Sequence, residues 1–299
     1  MMRGMDAAIS GLEAHQTMLD VTANNLANVN TIGYKAQRTT FTDELAQMVG
    51  PTTAPNSYNG GTNAKQIGLG VQVGSIDNMM GTGSLQTTGN PLDVAVEGDG
   101  FFQVGTGNPG TSTAPSAIQF TRAGNLTLNS QGYLMNQGGQ YLVGVKATLN
   151  PDGTYSPAAP TNTAANQEYV NIPNGSTNVA VGQDGAVTYT DNNPANTTTY
   201  GKTVTAGYMQ LATFPNEAGL TRDGGSMWSQ SQSSGAASLD IPGVNGKGAT
   251  VSGTLEDSNV DLASEFSTMI TAERGYQANS KVITTADTML STVVNMAQG

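Results

Sequence analysis

Leu19-Asp-Val-Thr-Ala-Asn-Asn-Leu-Ala-Asn-Val-Asn-Thr-Ile-Gly-Tyr-Lys35 closes one kind of structure and opens another. Upstream, Met5, Leu12, Leu19 and Leu26 recur every seven residues, with Ile9, Gln16 and Ala23 offset by four, an a/d pattern that predicts one amphipathic helix over the first 30 residues. Asn24, Asn25, Asn28 and Asn30 before Gly33 predict where it stops, because Asn and Gly tolerate left-handed backbone and short amides capture loose backbone groups. At the other end, Leu262, Met269, Tyr276, Ile283 and Leu290 repeat the seven-residue spacing, with Phe266 and Val294 offset by four. A second, longer helix follows. Its start is marked by Ser258 and Asp261 at capping-box spacing, with Asp a weaker partner than the usual Glu or Gln, and Asn259 offers another cap in the same turn. Glu273, Ser280 and Asp287 fall on the offset row, so the helix is expected either to pack among several neighbours or to keep a wetted face.

Between the helices the period shifts to two. Leu92-Asp-Val-Ala-Val96, Phe101-Phe-Gln-Val104 and Asn125-Leu-Thr-Leu128 are short apolar runs, and Asp-Gly at 99, 152, 184 and 223 with Gly-Gly at 60, 138 and 224 punctuate them as hairpin turns. The expected fold class is a mainly β central domain with paired N- and C-terminal helices, an α+β arrangement. Residues 1–40 and 256–299 form the helical domain in this reading, 41–75 a linker, and 76–255 a β-rich domain with a short insertion at 150–167, where Pro151, Pro157 and Pro160 argue against strands.

Composition narrows the chemistry. The 299 residues carry 11 Lys and Arg against 22 Asp and Glu, a net charge of -11, and the bases lie singly along the chain. Nucleic acid and anionic membrane surfaces are therefore poor partners. There is no Cys, which removes disulfides, thiolate metal sites and cysteine nucleophiles. No apolar run approaches the length of a membrane span, and the N-terminus lacks a cleavable hydrophobic signal, so any export is expected by another route. His15, the one histidine, sits between Leu12 and Leu19 and reads as a packed or solvated side chain rather than a general base. Gly105 to Gly110 formally fits a phosphate-loop pattern, but Pro109 and the Thr, Ser and Pro that follow prevent a helix from opening there. The acidic clusters Asp43-Glu44, Asp93/Glu97/Asp99 and Glu256-Asp257 lack calcium-loop spacing and read as solvated faces and turns. No catalytic residue, cofactor or metal site is expected.

Ser10-Gly-Leu-Glu-Ala14 with Leu19 to Lys35, Gly253-Thr-Leu-Glu-Asp-Ser-Asn-Val-Asp-Leu262, Ala272-Glu-Arg-Gly-Tyr-Gln-Ala-Asn-Ser-Lys281 and Thr285 to Leu290 resemble the two ends of the bacterial flagellar rod and hook proteins. Gly89 to Phe102, Phe120 to Asn125 and Ala218 to Thr221 are similar to the β-rich domain of the same family. The resemblance implies a tubular homopolymer, terminal helices around an export channel, a β-rich outer wall, and export through the flagellar type III apparatus. It implies as partners further copies of the chain, the distal rod, the hook cap and the hook-filament junction proteins. Within the family, Asp257 to Asp261, Tyr141 to Ala147 and the lack of a Gln- and Ser-rich stretch after the first helix favour a hook subunit, a curved and flexible joint, with the straight distal rod as alternative. An extracellular adhesin or glycan-binding module and an enzyme remain the readings from other classes. The residues expected to carry assembly are Leu12, Leu19, Asn24, Asn25, Leu26, Asn28, Thr31, Gly33, Tyr34 and Lys35 at one end, and Leu262, Phe266, Met269, Tyr276, Gln277, Asn279, Ile283 and Leu290 at the other. Phe41 and Leu45 resemble the pair presented to the export gate.

Overall fold

A computed structural model describes residues 2–55, 60–107, 115–149, 155–157, 167–194 and 199–297. The chain divides into two compact units: residues 1–27, 36–79 and 260–299 form unit 1, and residues 28–35 and 80–259 form unit 2. The expected boundaries at 40 and 256 fall elsewhere. The segment at 28–35, which the sequence pattern attaches to the first helix, belongs to the β-rich unit, while 36–79 belongs with the helices.

Unit 1 contains helix α1 (Met2–Ala27) and helix α2 (Leu262–Ala297). Asp261 caps α2, its Oδ1 accepting from the Ala263 N–H at 2.9 Å, so the cap is Asp261 rather than Ser258. Between the helices in sequence, β1 (Gln37–Asp43) pairs antiparallel with β4 (Val71–Asn78), and β2 (Ala46–Gly50) with β3 (Lys65–Gly68). The segment read as a linker, 41–75, thus carries ordered strands among its described residues. These strands give little sequence signal, because their Thr, Gln and Gly residues and largely exposed apolar side chains weaken the alternation of a half-buried strand without preventing backbone pairing.

Both helices keep the seven-residue period but not the expected second row. Ile9, Phe266 and Val294, offset by four, are 41%, 49% and 53% exposed, whereas Ala8, Thr22 and Ala272, offset by three, are buried. The reason is steric: where α1 and α2 touch, at Gly11 with Asn279 and at His15 with Gly275, small residues lie between the backbones. Large side chains turn outward. This also explains Glu273 and Asp287, which are exposed because their row faces away from α1.

Unit 2 is built on an antiparallel sheet whose main path runs through Thr177–Val181, Ala186–Thr190, Thr203–Met209, Tyr141–Leu149, Phe101–Thr106, Ser116–Thr121, Met227–Ser229 and Thr221–Gly224. Alternate residues of one strand enter different cores, as the two-residue period of a strand requires. Phe102 and Val104 join Leu126, Leu134, Leu142, Met209 and Leu211 in one, while Phe101 joins Phe120, Phe214, Leu220 and Trp228 in the other. The expected insertion at 150–167 lies mostly outside the described residues, as do the last residues of the Gly105 to Gly110 run.

Candidate functional site

The segment after α1 is a plug in unit 2. Thr31 donates from its backbone N–H to the Asn28 carbonyl at 3.1 Å, and the Tyr34 N–H donates to the Thr31 carbonyl at 3.2 Å, so the chain tightens into successive turns. Gly33 adopts φ +67°, and a Cβ there would lie 2.6 Å from the Ala123 nitrogen, so both conformation and space demand glycine. The left-handed residue in this turn is Gly33, not one of the expected asparagines. Its N–H donates to the Glu256 carbonyl at 2.9 Å, joining the N-terminal motif to the last strand of unit 2, Thr254–Glu256.

Lys35 and Glu256 are fully buried. Lys35 Nζ donates to Glu256 Oε1 at 2.5 Å and to the Gly81 carbonyl at 2.9 Å, and the same carboxylate oxygen accepts from the Gly83 N–H at 2.8 Å. Arg122 Nη1 stands 3.5 Å from Glu256 Oε2 and donates to the Gly98 carbonyl at 2.9 Å, its guanidinium lying over Phe101. Arg222 donates to the Lys35 carbonyl and stacks between Tyr34 and Trp228, 4.6 and 4.8 Å from their ring centres. Glu256, read as part of a solvated acidic cluster, is instead the anion on which Lys35 and Arg122 converge, and bases that lie singly in sequence meet in space. Burial pushes the Lys35 ammonium below its ordinary value, partly offset by Glu256. Burial likewise raises the Glu217 carboxyl, with Arg122 opposing. Such an arrangement holds chain segments in place, and no group of three or more His, Cys, Asp or Glu able to hold a metal occurs among the described residues.

In unit 1, Asn25 is the polar counterpart. Its amide donates to the Gln37 carbonyl at 2.7 Å, accepts from the Gln37 N–H at 2.9 Å, and donates to Glu265 Oε1 at 3.1 Å, tying α1 to the start of β1 and to α2. Asn28 Oδ1 accepts from the Thr31 hydroxyl, while Asn24 lies on the exposed side of α1. Leu12, Leu19, Leu26, Met269, Tyr276, Asn279, Ile283 and Leu290 are half-buried, and Gln277 is exposed and bonded to Glu273 at 3.1 Å. Leu262 and Phe266 are exposed at 45% and 49%. Phe41 lies on β1 with its ring edge-on to His15, and Leu45, beyond the strand, is 83% exposed. Seventeen of the twenty-one large hydrophobic side chains that are exposed among the described residues belong to unit 1, and the only hydrophobic residues unit 1 buries fully are Ala8, Ala14, Ala36 and Ala272. Sequence reading found the helical apolar rows but missed Arg122, Arg222 and Glu256, because Arg122 meets Glu256, Arg222 meets the Lys35 carbonyl and Glu256 meets Lys35 only across more than 130 residues of chain.

Matches to known families fall on these same parts: residues 5–35 match "Flagella basal body rod protein", residues 95–189 "Flagellar hook protein FlgE/F/G D1 domain", and residues 251–296 "Flagellar basal body rod FlgEFG protein C-terminal". The flagellar basal-body rod protein FlgG of Bacillus subtilis is 40% identical over 297 residues, covering 99% of each chain. This chain belongs to the flagellar rod and hook protein family. FlgG of Caulobacter vibrioides is 35% identical over 97% of each chain. The flagellar hook protein FlgE of Treponema pallidum is 27% identical across an alignment of 461 positions, so that protein carries sequence this 299-residue chain lacks. The family is structural, not one of enzymes, and its members are components of the flagellum. No helix among the described residues is long and apolar enough to cross a membrane.

Proposed function

We propose that this chain is a rod subunit, a piece of a straight tubular drive shaft, polymerising with its own kind through unit 1. The observation that carries polymerisation is the unburied apolar surface of unit 1. Leu262, Phe266, Ile270, Met289, Val293, Val294 and Met296 line α2, and Leu45, Met48, Val49 and Ile67 line the β2–β3 region, all beyond one-third exposed. Exposed large apolar side chains concentrated in one unit mark surface awaiting a partner, and burying each such side chain contributes about 1.5 to 3 kcal/mol. A second copy in a head-to-tail relation repeats indefinitely and builds a filament.

Rod replaces hook as the preferred reading. Two of the three features that favoured the hook are framework: Asp257 to Asp261 leads into the α2 cap, and Tyr141 to Ala147 lies in a central strand of unit 2. Any member needs such parts, so they do not discriminate. The third, a missing stretch after the first helix, is countered by the rod relative that aligns over 99% of both chains without a large gap. Paired helices around an export channel, export through the flagellar type III apparatus with Phe41 and Leu45 presented to its gate, and contacts with neighbouring axial proteins belong to the same proposal. The test is electron microscopy of the purified full chain beside Phe266→Ser. The proposal expects straight tubes from the first and none from the second, with monomer stability changed by under about 0.5 kcal/mol. Curved tubes would restore the hook, and monomers at every concentration would end the polymer reading.

A further inference from the structure

The touching residues of α1 and α2 follow one rule. Gly11 meets Asn279: a Cβ on Gly11 would lie 2.6 Å from Asn279 Nδ2. Four residues along α1 and four back along α2, the roles reverse, and a Cβ on Gly275 would lie 2.5 Å from His15 Nε2, 2.6 Å from its Cε1 and 2.9 Å from its Cδ2. Ten residues further along α1 and ten further back along α2, Asn25 donates to Glu265 at 3.1 Å. These contacts lie on a single antiparallel register. They are also reciprocal, since each helix offers one glycine and receives one side chain.

We infer that Gly11 and Gly275 are paired seats, filled by Asn279 and His15, that fix α1 and α2 in one axial register. The alternatives are disfavoured on both sides. A slip of four residues one way brings Gly11 against Gly275 and leaves a void where two side chains had packed. The opposite slip brings His15 against Asn279, two bulky groups at one level. Packed interfaces tolerate neither a gap nor an overlap of that size. Phe41, edge-on to His15 with ring centres 5.9 Å apart, holds the ring from the side of β1. The register matters because it decides which stretch of α2 is covered by α1. With the seats filled, Leu262, Phe266 and Ile270 remain outside, on the surface through which the proposed polymer forms.

The chain has no cysteine, so an introduced pair reports register without background. Met18 and Ala272 are partners under the observed rule, whereas Met18 and Tyr276 become partners only after a slip of one turn. In the full-length chain, the pair Met18→Cys with Ala272→Cys should oxidise to an intra-chain crosslink, seen as a shifted monomer band on denaturing gels, at least about tenfold faster than Met18→Cys with Tyr276→Cys. Adding Gly275→Ala should slow the first crosslink about tenfold, and adding His15→Ala to that variant should restore most of the rate, because the smaller side chain vacates the seat. Equal crosslinking of both pairs, or a Gly275→Ala variant that crosslinks like the parent, overturns the inference. So does failure of His15→Ala to rescue. An intra-chain band forms whether or not chains associate, so this result stands apart from that of the polymer test on which the surface argument rests.

Discussion

Unit 2 is finished within one chain, and unit 1 is not. In unit 2, Phe102, Val104, Leu134, Leu142, Met209 and Leu211 are wholly removed from water, and its deepest charges meet partners. In unit 1, the helices touch through glycine and alanine while Phe266, Ile270, Val294 and Met296 stay in solvent. The difference is one of what each unit needs from outside. A unit whose buried hydrophobic residues, among those described, are all alanines gains little hydrophobic stabilisation against the roughly 1 to 2 kcal/mol per residue that ordering its backbone costs. In the proposed polymer, neighbours that cover its outer rows supply the rest. The single tryptophan, Trp228, sits in unit 2, and both α-helices sit in unit 1, so fluorescence and the helical far-ultraviolet signal follow the units separately.

The largest effect is expected where unit 2 is most committed. Glu256→Ala strands Lys35 and Arg122 in a buried site, and removing one partner of a buried ion pair costs about 3 to 5 kcal/mol. Fluorescence-detected denaturation should show that loss, and the double replacement Glu256→Leu with Lys35→Met should recover part of it. If Glu256→Ala shifts the helical transition instead, the plug belongs energetically to unit 1. Leu142→Ala, in the larger core, should cost about 2 to 5 kcal/mol by the same probe and leave the monomer's helical transition in place. Coincident transitions in both probes would erase the distinction between the units.

Next comes the polar tie of unit 1. Asn25→Leu removes the partner of both backbone groups of Gln37 and of Glu265, leaving polar groups unsatisfied at about 1 to 3 kcal/mol. The helical signal should melt earlier while fluorescence does not move.

The helices and the β-rich middle could be read from the chain because their periods are local: seven-residue recurrence and alternating runs between Gly turns. What could not be read was anything decided by two distant segments. The phase of the second helical row depends on Gly11 and Gly275 facing each other's side chains, and glycine has no place on a hydrophobic pattern. Glu256 beside Asp257 looks like an ordinary acidic turn until Lys35, 221 residues away, is brought to it. The 37–78 strands went unseen because their polar Thr and Gln faces and their exposed apolar residues do not alternate as a half-buried strand should. The Lys35 motif itself was legible as a family signature, but its task as a plug in the other unit was not.

The smallest effect concerns Glu265, where the two helices meet at Asn25. Burial raises its carboxyl pKa above the ordinary 4.5, with the Asn25 hydrogen bond lowering it and the Asp261 charge adding to the rise. In a folded chain with a raised carboxyl, the native state holds its proton at a pH where the unfolded chain has released it. More protons are therefore bound by the native state between the ordinary and the raised value, and stability falls as pH rises through that window, then stays level above it. Glu265→Gln removes this titration and keeps an oxygen for Asn25 to bond. The helical transition of the parent should therefore decline as pH rises from the ordinary carboxylate range toward neutrality, and the variant should lack that component and match or slightly exceed the parent at neutral pH. Thermal melts of both chains across this range check it. A variant clearly less stable than the parent at neutral pH would mean that the ionised carboxylate, rather than its shape, holds Asn25, and that unit 1 depends on charge at this point as unit 2 does at Glu256.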